Sequence, residues 1–188
     1  MPGMIELLRE SLPTPLGKLV LLSRADGALV SLDFFDLQER REALLRRRFG
    51  AGGWREHAAS PGADSERLRA LRRYFAGELD ALAGLPLELE GNALQRELWS
   101  LLQSLPPGQF TRYGALAEAL QRPGAARAIG AAIGANPLLL VLPCHRVLAS
   151  NGRLHGYAGG IERKRWLLEH EGLLPRLPTG ASGRALRV

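Results

Sequence analysis

Cysteine occurs once in this chain of 188 residues, at position 144, and a histidine follows it directly within the stretch LPCHRV. A thiol attacks as the thiolate, which forms near neutral pH only beside a base or another group that favours the charge. His145 is a base of the right type, one of four histidines in the chain. Neighbours on an extended chain point to opposite faces, so adjacency alone does not establish contact. Pro143 fixes its own φ and removes a backbone donor, which argues against a regular central strand here. Asn136 upstream and the loop SNGRLHGYAGG downstream supply polar groups and glycines suited to a shaped site. Glu171, within HEG at the end of a helical run, is a carboxylate able to orient an imidazole. Cysteine, histidine and an orienting acid are the parts of an activated thiol. The competing reading makes Cys144 a small buried hydrophobe.

Length is compatible with one domain or two. The first part contains three β-compatible runs, MIELLRESL, GKLVLLSRA and ALVSLDFF, separated by turn signals and read as a short meander. LQERREALLRRRFG reads as an amphipathic helix, AGGWREHAASPGAD as loop, and SERLRALRRYFAGEL as a helix capped by Ser65 or Asp64. Residues 83–92, AGLPLELEGN, read as a linker. Beyond them, ALQRELWSLLQSL, TRYGALAEALQ with Thr111 as its cap, and AARAIGAAIGA read as three helices. The tight QRPG turn between the last two matches a helix-turn-helix. The fold class expected is α+β. An N-terminal α+β domain with a small antiparallel sheet spans 1–88, and a mostly helical, winged-helix-like domain spans 89–174. Residues 175–188, rich in Pro, Gly and Arg, read as a mobile tail.

The third of those helices is unusual for a reader of base edges, which projects several polar side chains into the major groove. It offers alanines and glycines with Arg127 as its one charge. Two explanations fit: close packing on a neighbouring helix, or entry into a narrow groove where bulk would clash and one arginine acts as a wedge. The formal charge of +6 favours a polyanionic partner, although a solvated basic surface gives the same balance. A single cysteine suits a reducing compartment and excludes both an internal disulfide and a zinc cage built mainly of thiolates. The N-terminus has no export-signal pattern, and the apolar run from Pro137 to Cys144 is too short to span a bilayer. A cytoplasmic, nucleoid-associated protein with no membrane contact is therefore expected.

GANPLLLVLPCHRV followed by SNGRLHGYAGGIERKRWLLEHEG resembles the O6-alkylguanine-DNA alkyltransferases, the methylated-DNA–protein-cysteine methyltransferases. PCHRV together with the upstream ARAIG…NP and the downstream YxGG…K…LLxHEG carries the resemblance, from about Leu94 to Leu173; the earlier residues resemble the family only loosely. The resemblance implies that Cys144 accepts the alkyl group, that His145 takes the thiol proton through a water, that Glu171 holds the imidazole, and that Asn136 braces the turn. It implies that Arg127 is the finger entering the duplex and that Tyr113 crowds the 3′ phosphate and donates toward guanine N3. The carbonyls of Cys144 and Val147 would accept from the guanine amino group, the Ala158 amide would donate to O6, and Tyr157 and Ile133 would line the pocket. The implied partner is double-stranded DNA containing O6-alkylguanine, with O4-alkylthymine as a further substrate to consider. A monomer is expected to meet it through the minor groove with little sequence dependence. No cofactor is implied. Some members of the family hold zinc in the N-terminal domain; here that region has no cysteine and only His57, so no metal is expected. His155 either narrows the pocket or sits at the surface. His170 reads as a helix C-terminal residue, and Trp99 and Trp166 read as core.

The chemistry is consistent with these roles. A base modified inside a duplex must be flipped out to meet a protein thiolate, and guanine leaves more readily when a ring nitrogen is protonated. The thioether product has no carbonyl for water to attack, so each molecule would react once. Three rivals remain open: a lesion sensor without chemistry, which by resemblance lacks the cysteine; a cysteine hydrolase, which leaves the helix-turn-helix unexplained; and a transcription factor, which the alanine-rich third helix disfavours.

Overall fold

A computed structural model describes residues 3–174 and divides the chain into two compact units, Met1–Glu90 and Gly91–Val188. In the first unit, β1 (Ile5–Leu12), β2 (Leu19–Ser23) and β3 (Leu29–Phe34) pair antiparallel, as the three apolar runs and their turns require. Strand alternation places Leu7, Leu22 and Val30 together with Leu45 of α1 (Gln38–Phe49) in one cluster. In α2 (Glu66–Phe75), Leu68, Leu71 and Tyr74 are buried, and the Ser65 hydroxyl caps the helix by accepting the Leu68 amide at 3.3 Å.

Two expectations about this unit are corrected. Residues 54–58, read as loop, form β4 (Trp54–Ala58), which pairs parallel with β1 and gives the sheet order β3-β2-β1-β4. WREHA lacks strand alternation. What makes it a strand is the free edge of β1, a long-range partner that local sequence does not encode, and Trp54 anchors it against the Leu7 cluster. The stretch 83–92 is not a free linker either. Leu29 donates to Pro86 O at 2.8 Å, Glu88 donates to Leu29 O at 2.8 Å, and the Glu88 carboxylate accepts Arg24 at 2.7 Å and Arg48 at 2.5 Å.

The second unit contains α3 (Ala93–Gln103), β5 (Thr111–Arg112), α4 (Tyr113–Ala119), α5 (Ala126–Gly134), β6 (Val147–Leu148) and α6 (Ile161–His170). Helix α3 opens on a capping box in which Asn92 accepts the Gln95 amide and Gln95 accepts the Asn92 amide, each at 2.9 Å. It buries Leu98, Trp99 and Leu102, and the Trp99 indole donates to Ala132 O of α5 at 3.2 Å. Thr111 does not cap α4: it lies in β5, paired with Val147 of β6, and Arg112 is the cap residue, with no side-chain bond. The turn from α4 to α5 uses left-handed backbone at Gln121 and Gly124. Helix α5 buries Ile129, Ala132 and Ile133 and exposes Ala126, Arg127, Ala128, Ala131 and Gly134. Ala132 packs inward, as close helix packing requires, while Ala126, Ala128, Ala131 and Gly134 form an outward face. No described helix is long and apolar enough to cross a membrane. The tail expected at 175–188 lies outside the described residues.

Replacing Asn92 by Ala removes one half of the capping box and is expected to destabilise the protein by about 1 kcal/mol. Urea unfolding checks this.

Candidate active site

The site is built on the chain between α5 and α6. After α5, Asn136 is fully buried and turns the chain: its Oδ1 accepts the Leu138 amide at 2.8 Å, and its Nδ2 donates to Leu142 O at 2.9 Å and to Cys144 Sγ at 3.1 Å. Leu138 to Leu142 are buried, and Leu140 adopts φ 73°, an uncommon conformation for a bulky residue that the surrounding packing and bonds must hold. Pro143, at φ −77° and ψ 61°, sits at the centre of an inverse γ-turn closed by the Cys144 amide donating to Leu142 O at 2.7 Å. Cys144 to Arg146 then form one 3₁₀ turn. Proline belongs at this position because its φ is preset and its absent N–H is not needed.

The 3₁₀ turn throws His145 and Arg146 toward Glu171, the residue that follows α6. His145 Nε2–H donates to Glu171 Oε1 at 2.8 Å. Arg146 donates to Oε2 at 2.7 Å and to Oε1 at 2.9 Å, and its remaining nitrogen donates to Leu105 O at 2.5 Å. Burial alone would raise the Glu171 carboxyl, but the His145 N–H and the Arg146 guanidinium outweigh it and hold the acid well below its ordinary 4.5. Burial pushes His145 below its ordinary 6.5 against the pull of Glu171, so the imidazole is neutral at pH 7. With Nε2–H committed to the carboxylate, Nδ1 is the free base. It is buried and has no hydrogen-bond partner among the described residues.

Lys164 of α6 is buried, and its ammonium donates to Val147 O at 2.6 Å and to His155 O at 2.8 Å, joining the cysteine turn to the loop before Tyr157. Burial lowers it to about 8, although the charge of Cys144 pulls upward. Tyr113, the first residue of α4, donates from its hydroxyl to Gly156 O at 3.3 Å; burial first, and then the Cys144 charge, push that hydroxyl above its ordinary 10. Tyr113 therefore keeps its proton at neutral pH.

The structure gathers Cys144, Asn136, His145 and Glu171 through direct bonds between Asn136 and Cys144 and between His145 and Glu171. Tyr157 is buried, its ring 6.2 Å from that of His145 in an edge-on arrangement. Ile133 and Val147 are buried and Ala158 half-buried, with no protein acceptor for the Ala158 N–H among the described residues. The carbonyls of Cys144 and Val147 are already engaged, by the Val147 N–H and by Lys164, so any ligand would use their second lone pairs. Arg127 lies apart from this cluster, exposed in the first turn of α5, where a cation opposes the helix dipole and no described residue pairs with it. His155 exposes its side chain. His170 ends α6 and stacks on half-buried Trp166 at 4.8 Å.

Two residues with no assigned role in the sequence reading complete the network. Arg146 was signalled by a charge inside the apolar run from Leu138 to Leu148. Lys164 was signalled by its spacing with Leu167, Leu168 and Glu171, which sets a lysine on a buried helical face.

Acid should unfold this protein partly through Glu171. Because its folded-state affinity for protons is lower than that of the unfolded chain, stability is full above pH 4.5 and falls as pH drops below it. Glu171→Gln should cost about 3 kcal/mol at pH 7 by leaving Arg146 without its counter-charge. It should also flatten the fall in stability below pH 4.5, as denaturant unfolding at a series of pH values will show.

Two family models match the chain. That of the ribonuclease-like domain of 6-O-methylguanine DNA methyltransferase covers residues 7–89, and that of its DNA-binding domain covers 93–173. A methylated-DNA–protein-cysteine methyltransferase of Shigella flexneri is 46% identical over 91% of this chain and 99% of its own length. The fold is similar to that of Mycobacterium tuberculosis OGT in complex with DNA, with a TM-score of 0.71 and 35% identity over 93% of this chain and 96% of that one. It is also similar to the O6-methylguanine-DNA methyltransferase of the archaeon Pyrococcus kodakaraensis, with a TM-score of 0.64 and 27% identity over 88% of this chain and 99% of that one. The chain belongs to the methylated-DNA–protein-cysteine methyltransferase family.

Proposed function

We propose that this chain repairs DNA by moving the alkyl group of O6-alkylguanine onto its own Cys144. The observation that carries the reading is the linked set Asn136–Cys144 and His145–Glu171, in which a thiol has a hydrogen-bond donor on its sulfur and a neutral, oriented imidazole next in the chain. The thiol proton passes, through a water, to His145 Nδ1, and Glu171 stabilises the imidazolium that forms. Asn136 Nδ2–H favours the thiolate over the thiol as its acceptor. Sulfur attacks the carbon on O6, the C–O6 bond breaks, and its electron pair enters the guanine ring as the Tyr113 hydroxyl donates to N3. The Ala158 N–H meets O6. One thiol becomes one thioether, and the chain holds no second cysteine to accept the group.

The lesion must leave the duplex first, at a cost of a few kcal/mol that is smaller for a poorly paired base. The exposed Ala/Gly face of α5 supports close approach to a groove, and Arg127, exposed on that face, would fill the space the base leaves. Contact through phosphates and groove shape gives binding that salt weakens and sequence barely modulates. The protein acts as a monomer, without cofactor or metal. Retention of Cys144 favours transfer over a silent lesion sensor.

Cys144→Ala should abolish transfer and leave the affinity for a lesion-bearing duplex within about threefold, because the binding energy resides in phosphate contacts. Loss of binding would contradict the assignment. Arg127→Ala should slow repair in duplex DNA by about tenfold or more while leaving the reaction with free O6-benzylguanine near the parental rate, since only the former needs extrusion. Equal losses on both would remove the finger role.

A further inference from the structure

The backbone at Gly156 meets the Tyr113 hydroxyl so closely that a side chain there would force the phenol to shift. Gly156 has φ +59°, and a Cβ built on it would lie 2.9 Å from the Tyr113 Oη, inside the closest approach that real Cβ atoms make. The same residue's carbonyl accepts the Tyr113 hydroxyl at 3.3 Å. Gly130 of α5 is no such constraint: its Cβ would stand at an ordinary 4.0 Å from Tyr113 Cε1. One residue earlier, the His155 carbonyl holds Lys164. Two successive carbonyls of one loop thus hold the two proton-bearing side chains that the site draws from α4 and α6.

We propose that Gly156 is a positioning residue for the Tyr113 hydroxyl, required because only a missing side chain lets the loop carbonyl park that hydroxyl at the pocket. This rests on the reading of Tyr113 as the proton donor to guanine. Before a base enters, the hydroxyl donates to Gly156 O; when guanine arrives, the same proton turns to N3 and the Gly156 carbonyl is released. A Cβ at 156 pushes the phenol from the position it holds here, so beyond the backbone strain that φ +59° puts on any side chain, the damage passes through the hydroxyl.

The test is a double-mutant cycle on single-turnover transfer from an O6-methylguanine duplex, with thermal unfolding of each variant alongside. Gly156→Ala in the parent should slow transfer at saturating DNA by about tenfold or more, with the half-saturating DNA concentration unchanged, because a misplaced proton donor affects the chemical step. In a Tyr113→Phe background the same substitution should cost about twofold or less, because the atom it displaces is gone. Gly156→Asn carries the same Cβ on a residue that tolerates left-handed φ and replaces the alanine variant if the latter unfolds. Equal losses in both backgrounds would overturn the inference, making Gly156 a general support of the loop. Parental rates in Tyr113→Phe would mean that the reading of Tyr113 itself fails. A slow Tyr113→Phe beside a parental Gly156→Ala would overturn the inference alone.

Discussion

A carboxylate cannot stay ionised inside a protein unless something holds it so, and much of this site follows from how Glu171 meets that condition. Removing a carboxylate from water costs several kcal/mol even after the protein relaxes. Here two residues adjacent in sequence, His145 and Arg146, converge on it, and Arg146 also reaches back to Leu105 O beyond the end of α3. His145 and Arg146 together outweigh the burial and keep Glu171 ionised. Burial, with the charges of Arg146 and Lys164 adding to it, holds His145 below its ordinary 6.5 and leaves it the base that a thiol needs. The same contacts tie the last turn of α6 to the cysteine turn, so the stability of this unit and the protonation of its site are one property.

A second dependence runs through Asn136. It follows directly on α5, the helix whose outer face carries only small residues and Arg127, and it bonds to Cys144 Sγ. Asn136, two residues past the end of the helix proposed to meet DNA, thus bonds the thiol directly. Leu140, held in left-handed backbone by its buried neighbours, fixes the path between them. Rigidity of this kind matters for a transfer reaction, in which sulfur, carbon and oxygen must line up within a few tenths of an ångström.

What could be read from the sequence was whatever local chemistry encodes. The three first strands alternate or run apolar between turn residues, and Ser65 announces its helix, so those elements were legible. The cysteine turn was legible as a motif because Pro143, Cys144, His145 and Asn136 are rare types held at short spacing. Strand β4 was not legible, since WREHA becomes a strand only by pairing with β1. Thr111 misled for a related reason: it has the chemistry of a cap, but pairing with Val147 draws it into β5. Arg146 and Lys164 were visible as charges at apolar positions, yet their partners, Leu105, Glu171, Val147 and His155, come together only in the fold.

The central claim is that the Cys144 thiol is a reagent consumed once. Intact-protein mass after incubation with excess duplex DNA carrying one O6-methylguanine tests it most directly. A single added methyl group, located on the peptide that contains Cys144 and saturating at one per molecule, is the expected result. Tight binding of the lesion with no change of mass, or more than one methyl per chain, would contradict it.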